Sequence, residues 1–316
     1  VDSPPAGPPG PPGPPRDPAA LAGALARHGY LADRGTATAA YLALRTGRPL
    51  LLEGEPGTGK TSLATALAGV LGAPSFRLQC YEGLDAAQVL YDWDFPRQLL
   101  HLRAVEAAGG AARAAEDLER SVHERRFLVA RPLLQALEAS RPGRPSVLLV
   151  DEVDRADDAF EAYLLEVLAD AAVTVPELGT LRAEEPPVVV LTSNRTRDLH
   201  DALRRRCLYH WVEHPDPERE VAVLRLRLPE VTERLARQVA AAAGALRAAA
   251  LVKPPGLAES LDWAGAVHAL GAGELDAEVV EGSLGAVLKH REDRERVLRA
   301  GAPSVEDLVA AARRAG

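Results

Sequence analysis

Apolar positions along the chain fall into two regimes. Over residues 49–212, short continuous apolar runs alternate with stretches at helical spacing; beyond residue 214 only helical spacing remains. Residues 50–52, 147–150 and 188–191 are unbroken apolar runs, the pattern of strands buried on both faces of a parallel sheet. Residues 75–80 alternate Phe76, Leu78 and Cys80 with Arg77 and Gln79, which predicts a strand with one wet face. Residues 208–212 make a fifth strand. After the first strand, Leu63, Leu67, Val70 and Leu71 mark a helix that Gly72 and Pro74 stop. Asp157 and Asp158 open another, with Phe160, Tyr163, Leu164, Val167 and Leu168 on one face. Residues 173–181 predict a small hairpin around Gly179. Five strands alternating with helices predict a three-layer α/β/α domain on a five-stranded parallel sheet.

The remaining segments complete the outline. Residues 1–18, VDSPPAGPPGPPGPPRDP, predict a disordered Pro-rich tail, and residues 19–47 a single helix stopped by Gly47 and Pro49. The stretch from residue 81 to 145 is long for one crossover, so an insertion is placed around 84–130. It holds the aromatic cluster Tyr91-Asp92-Trp93-Asp94-Phe95, readable as packing anchors or as a partner-contact loop. It also holds a charged helix over 97–126 interrupted at Gly109-Gly110, and a further helix is predicted over 127–140. Past a boundary near residue 215, helices begin at Asp216-Pro217-Glu218 and run over 232–251, 259–270 and 276–290; Ser304-x-x-Asp307 is a capping-box start for the last. The expected division is an α/β core over 19–214 and an all-helical domain over 215–316.

Chemistry concentrates where strands end. The first strand breaks into Gly54-Glu55-Pro56-Gly57-Thr58-Gly59-Lys60-Thr61-Ser62, a full G-x-x-x-x-G-K-[ST] between strand and helix. The glycines let backbone N–H groups turn inward onto phosphate oxygens, and the helix N-terminus adds a field that favours anions. Lys60 is expected to reach the β- and γ-phosphates as a surface cation, and Thr61 to ligate Mg²⁺. About 90 residues further on, the apolar run 147–150 ends in Asp151-Glu152. An acidic pair so placed suits Mg²⁺ at Asp151 and activation of the attacking water at Glu152. The run 188–191 leads into Thr192-Ser193-Asn194, where an Asn can hold that water. Arg204-Arg205-Arg206 is either a solvated basic turn or an arginine finger for a neighbouring subunit's ATP. Cys207-x-x-His210-x-x-x-His214 has a metal-like cadence, but it overlaps a predicted strand and has no evident fourth ligand.

Charge and composition narrow the classes. The 316 residues carry a net charge of −8, which argues against a broad nucleic-acid-binding face. No apolar run approaches the ~20 residues of a membrane span, so no membrane insertion is expected. Two cysteines exclude a disulfide scaffold and suit a reducing cytoplasm.

Together these residues resemble the AAA+ ATPase superfamily and, within it, the MoxR branch. GEPGTGKT is similar to Walker A, VLLVDE to Walker B and TSN to sensor 1; RLQC and DEVDRADDAFEAYLLEVL also resemble that branch. LYDWDFPRQLL and KPPGLAESLDWA resemble a subgroup linked to maturation of molybdenum-containing carbon monoxide dehydrogenases. The resemblance covers about residues 28–290. It implies ATP and Mg²⁺ as cofactors, a homo-oligomeric, hexameric ring with ATP between subunits, and a C-terminal helical lid. It also implies a von Willebrand factor A-domain partner and a metalloenzyme client for a chaperone-like remodelling activity. It implies the strand order 5-1-4-3-2, which would put Asn194 between Lys60 and Asp151, and it makes Arg206 the finger, with Arg205 next. One departure stands out: where many relatives carry a sensor-2 arginine at the start of a lid helix, this chain has Ala258-Glu259-Ser260. A DNA-directed motor or clamp loader, and a nucleotide-gated scaffold with little turnover, are the alternatives.

Overall fold

A computed structural model describes residues 15–84, 89–107, 120–299, 301 and 303–316. Most of the Pro-rich tail and the Gly109-Gly110 interruption lie outside the described residues. The strands are β1 (Leu50–Glu53), β2 (Ser75–Gln79), β3 (Tyr91–Trp93), β4 (Leu128–Ala130), β5 (Val147–Asp151), β6 (Ala172–Val175), β7 (Gly179–Arg182), β8 (Val188–Ser193) and β9 (Leu208–Trp211). Five of them form one sheet in the order β2-β5-β8-β1-β9. β2 with β5 and β5 with β8 are parallel, in a register that sets Gln79 level with Asp151. The order is the expected one, with the strand that leads to Asn194 lying between β5 and β1. Unbroken apolar runs became the central strands because both their faces are covered: β1 and β5 are buried throughout. β2, at an edge, keeps Leu78 inside and turns Arg77 and Gln79 out.

The described residues divide into two compact units, one drawn from 15–21, 37–52 and 64–210, the other from 22–36, 53–63 and 211–316. The core of the first gathers Leu51, Leu78, Leu133, Leu148, Phe160 and Leu191. Asp157 caps the helix Asp158–Asp170 by accepting from the Phe160 N–H at 2.9 Å. β6 and β7 form the expected hairpin.

Three segments depart from the sequence reading. Residues 19–47 are two helices, Pro18–Arg27 and Arg34–Thr46. Gly29 takes φ 77° and ends the first, and Asp33 starts the second by accepting from the Thr36 N–H at 2.7 Å. The helix expected over 127–140 begins only at Pro132; residues 128–130 are instead β4, paired antiparallel with β3. A local apolar pattern could not distinguish the two, because β4 finds its partner about 37 positions away. Within the aromatic cluster, Tyr91 and Trp93 pack on the core while Phe95 stays 67% exposed. A further helix, Arg291–Leu298, follows the one at Ala277–Val287.

The second unit contains the C-terminal helices Pro217–Arg227, Glu233–Arg247, Leu257–Ala269, Ala277–Val287, Arg291–Leu298 and Val305–Ala315. Asp216, Thr232 and Asp276 cap three of them, and Ser304 with Asp307 forms the expected capping box. Trp263 fills the core, and its indole N–H donates to the Ser283 hydroxyl at 2.7 Å, so its polar atom is not buried unpaired. The Glu220 carboxylate is fully buried and paired with the Arg247 guanidinium. Removing one partner strands a buried charge. Arg247→Ala is therefore expected to lose about 3–5 kcal/mol of stability, seen as a lower urea midpoint with an unchanged slope. Among the described residues no helix is long and apolar enough to cross a membrane.

Candidate active site

The phosphate-loop residues belong to the second unit. β1 ends at Glu53, the loop covers 54–59, and a helix starts at Lys60. Gly54 has no room for a side chain, because a Cβ there would sit 2.4 Å from the Val212 carbonyl oxygen. The Thr58 hydroxyl donates to the Glu55 carbonyl at 2.9 Å and closes the turn. Lys60 is not the surface cation expected from the sequence. It is 6% exposed, and its ammonium donates to the carbonyls of Gly54 at 2.8 Å and Glu55 at 2.7 Å. Glu55 and Pro56 are exposed, Gly57, Gly59 and Thr61 half-buried, and Ser62 is exposed in the first helical turn. The Glu55 carboxylate is 3.0 Å from His214 Nε2. Tyr30 lies beside Gly59, 3.7 Å from where a Cβ would stand, and burial pushes its phenol up to about 12.

The acidic residues belong to the first unit. Both oxygens of Asp151 are engaged: Oδ1 accepts from the Thr192 hydroxyl at 2.5 Å and Oδ2 pairs with Arg77 Nη2 at 2.6 Å. The Thr192 hydroxyl in turn accepts the Glu152 N–H at 2.9 Å. Glu152 has φ 56°, a left-handed conformation uncommon outside glycine, as the chain turns from β5 into the short helical turn Val153–Arg155. Its Oε2 accepts from Gln79 Nε2 at 3.1 Å and pairs with Arg155 Nε at 2.9 Å; its Oε1 is 3.4 Å from Asn194 Nδ2. Gln79 Oε1 also accepts from Arg77 at 2.6 Å, so one polar chain links Asp151 to Glu152 across β2. Buried Asp154 fastens the Asn194 loop, accepting from the N–H groups of Asn194 at 3.2 Å and Thr196 at 2.8 Å.

Asp151, Glu152 and Asn194 are thus brought together. Arg77, Gln79, Thr192, Asp154 and Arg155 were missed by sequence reasoning. The polar alternation in residues 75–79 was the one available signal for Arg77 and Gln79, but it could not say what they touch. The Cys80 thiol is pushed up to about 12 by burial first, and then by the charges of Asp151, Asp154 and Glu152, so it stays protonated and inert.

Arg206 ends the short helix Asp201–Arg206, is exposed, and donates from Nη1 to the Leu165 carbonyl at 2.6 Å. Arg48 fixes that end of the helix by donating to the carbonyls of Arg205, Arg206 and Cys207. The Cys207 thiol is raised to about 12 by burial, against the pull of Arg48, which makes it a poor metal ligand.

Within the second unit, a loop closely packed at its glycines and the Lys60 ammonium are donors suited to a polyphosphate; within the first, the Asp151 carboxylate offers oxygens of the kind a hard cation takes. A family model described as AAA domain (dynein-related subfamily) matches residues 49–207. The uncharacterized Escherichia coli (strain K12) protein YehL is 30% identical over 173 residues, which cover 52% of this chain and 41% of YehL. The Thermotoga maritima RuvB Holliday junction branch migration motor aligns with a TM-score of 0.43 at 17% identity, over 78% of this chain and 65% of RuvB. The chain thus spans about two fifths of its curated relative's length.

Proposed function

The chain belongs to the AAA domain family, dynein-related subfamily, a family of ATPase domains, and on that premise we propose that it hydrolyses ATP with Mg²⁺ and uses the energy to remodel a protein client. The observation that carries this reading is the polar chain holding Asp151 and Glu152 at the end of β5. Residues 54–59 and Lys60 take the β- and γ-phosphates, with Thr61 and Ser62 at the helix start beneath them. Thr61 and Asp151 would hold Mg²⁺, which would supply positive charge to the phosphoryl oxygens. Glu152 accepts a proton from water as the water oxygen bonds to the γ-phosphorus and the bond to the bridging oxygen breaks, giving ADP and phosphate. Asn194 orients that water, and Arg206 of a neighbouring subunit faces the γ-phosphate.

Assembly as a hexameric ring is part of the same proposal. So is a MoxR-type role in maturing a metalloenzyme, beside a von Willebrand factor A-domain partner. Its support is the likeness of residues 90–100 and 253–264 to a subgroup linked to carbon monoxide dehydrogenase maturation.

Release of phosphate from Mg-ATP, measured on wild type and Lys60→Ala, tests the core of this reading. Lys60→Ala is expected to abolish both turnover and binding of a fluorescent ATP analogue. It also lowers the melting temperature slightly, because two backbone carbonyls lose their charged donor, at a cost of at most about 3 kcal/mol. Wild-type binding in the folded variant would move the nucleotide away from this loop.

A further inference from the structure

Within the second unit the phosphate loop is packed against the first turn of the helix Leu257–Ala269, backbone to backbone. A Cβ on Gly57 would stand 3.2 Å from Gly256 Cα, and a Cβ on Gly256 would stand 2.9 Å from the Pro56 carbonyl oxygen. A side chain on Gly256 would force the segments to shift, and one on Gly57 would press on Gly256 at a φ of 80° that side chains rarely adopt. Glu259 is the third residue of that helix, and it folds back so that its Oε2 accepts the Gly256 N–H at 2.9 Å. The same oxygen is 3.3 Å from the Cβ position of Gly57. A carboxylate therefore stands against the loop, in the field of a helix N-terminus that would otherwise favour an incoming anion.

We infer that Glu259 is a specificity-determining residue that weakens the loop's hold on a nucleoside triphosphate relative to a diphosphate. The inference rests on the reading of residues 54–62 as the nucleotide loop. The triphosphate brings one more negative charge than the diphosphate to the same loop. A carboxylate fixed by its bond to the Gly256 N–H, 3.3 Å from where a Cβ on Gly57 would stand, repels the more highly charged ligand more strongly. The carboxylate also satisfies a helix-terminal donor, so the repulsion is held in place by a hydrogen bond rather than by a mobile surface chain.

The test compares binding of ADP and of adenylyl imidodiphosphate, with Mg²⁺, to the full chain and to Glu259→Gln and Glu259→Asp by calorimetry. Glutamine keeps an oxygen for the Gly256 N–H and removes only the charge. In Glu259→Gln the ratio of the triphosphate analogue's Kd to that of ADP is expected to fall about tenfold, equivalent to about 1.4 kcal/mol, and the shift should shrink at high salt. Glu259→Asp, which keeps the charge, should keep the wild-type ratio. An unchanged ratio in Glu259→Gln, or an equal shift in both variants, overturns the inference while leaving the loop's role intact. Failure of the unaltered chain to bind either nucleotide overturns both.

Discussion

Glu152→Gln is expected to hold ATP and to turn it over about 10²–10⁴-fold more slowly, the contribution of a positioned general base. The amide has the size of the carboxylate but cannot accept the water's proton. The surroundings of Glu152 are built for an anion. Gln79, Arg155 and Asn194 all present donors to it, and its backbone N–H is held by Thr192. The substitution leaves the left-handed turn at residue 152 and the Asp151–Arg77 pair in place, so ATP binding survives. Steady-state phosphate release gives the rate, and retention of labelled ATP on a desalting column gives the binding. Turnover close to wild type would place the base on another residue. Because the variant is expected to stall with ATP bound, cross-linking it to co-purifying proteins also tests the proposed client.

Arg206→Ala is expected to lower hydrolysis by about 10³–10⁵ while each isolated subunit still binds ATP. Within its own chain Arg206 is exposed and makes one bond to the Leu165 carbonyl, a contact whose loss leaves the fold standing. Its planar charge suits the γ-phosphate oxygens as they gain negative charge. Mixing Lys60→Ala with Arg206→Ala subunits should restore activity. Some interfaces then join an intact loop from one subunit to an intact arginine from the other. Arg205→Ala is the control, since Arg205 shares the exposed helix end and its carbonyl is held by Arg48. Full activity in a monomer at any dilution, or an Arg205→Ala defect equal to that of Arg206→Ala with no complementation by either, would overturn the assignment.

Much of this was readable from local pattern. Residues 50–62 show strand, loop and helix in one stretch, because each step depends on neighbours in sequence: an apolar run, glycines, then helical spacing. The acidic pair after residues 147–150 and the Asn after residues 188–193 were legible for the same reason. Ser304 with Asp307, three residues apart, was legible as a cap. One misread segment needed a distant partner, and the other turned on local caps. Residues 128–130 became a strand through residues 91–93, and the single helix expected over 19–47 was divided by Gly29 and Asp33, turn signals outweighed by an otherwise helical stretch.

The sequence by itself determined the five sheet strands, the glycine-rich loop between the first strand and its helix, and the position of Asp151, Glu152 and Asn194 at strand ends, since patterns of this kind are written in contiguous residues. Tertiary structure alone decided what holds them. Arg77 reaches Asp151, 74 positions away, and Gln79 reaches Glu152 because parallel register sets Gln79 level with Asp151. Tertiary structure also grouped residues 22–36 and 53–63 with the C-terminal helices, and seated Glu259 against Gly57. Side-chain contacts across a sheet or between packed helices depend on register and close approach, and no local periodicity encodes those.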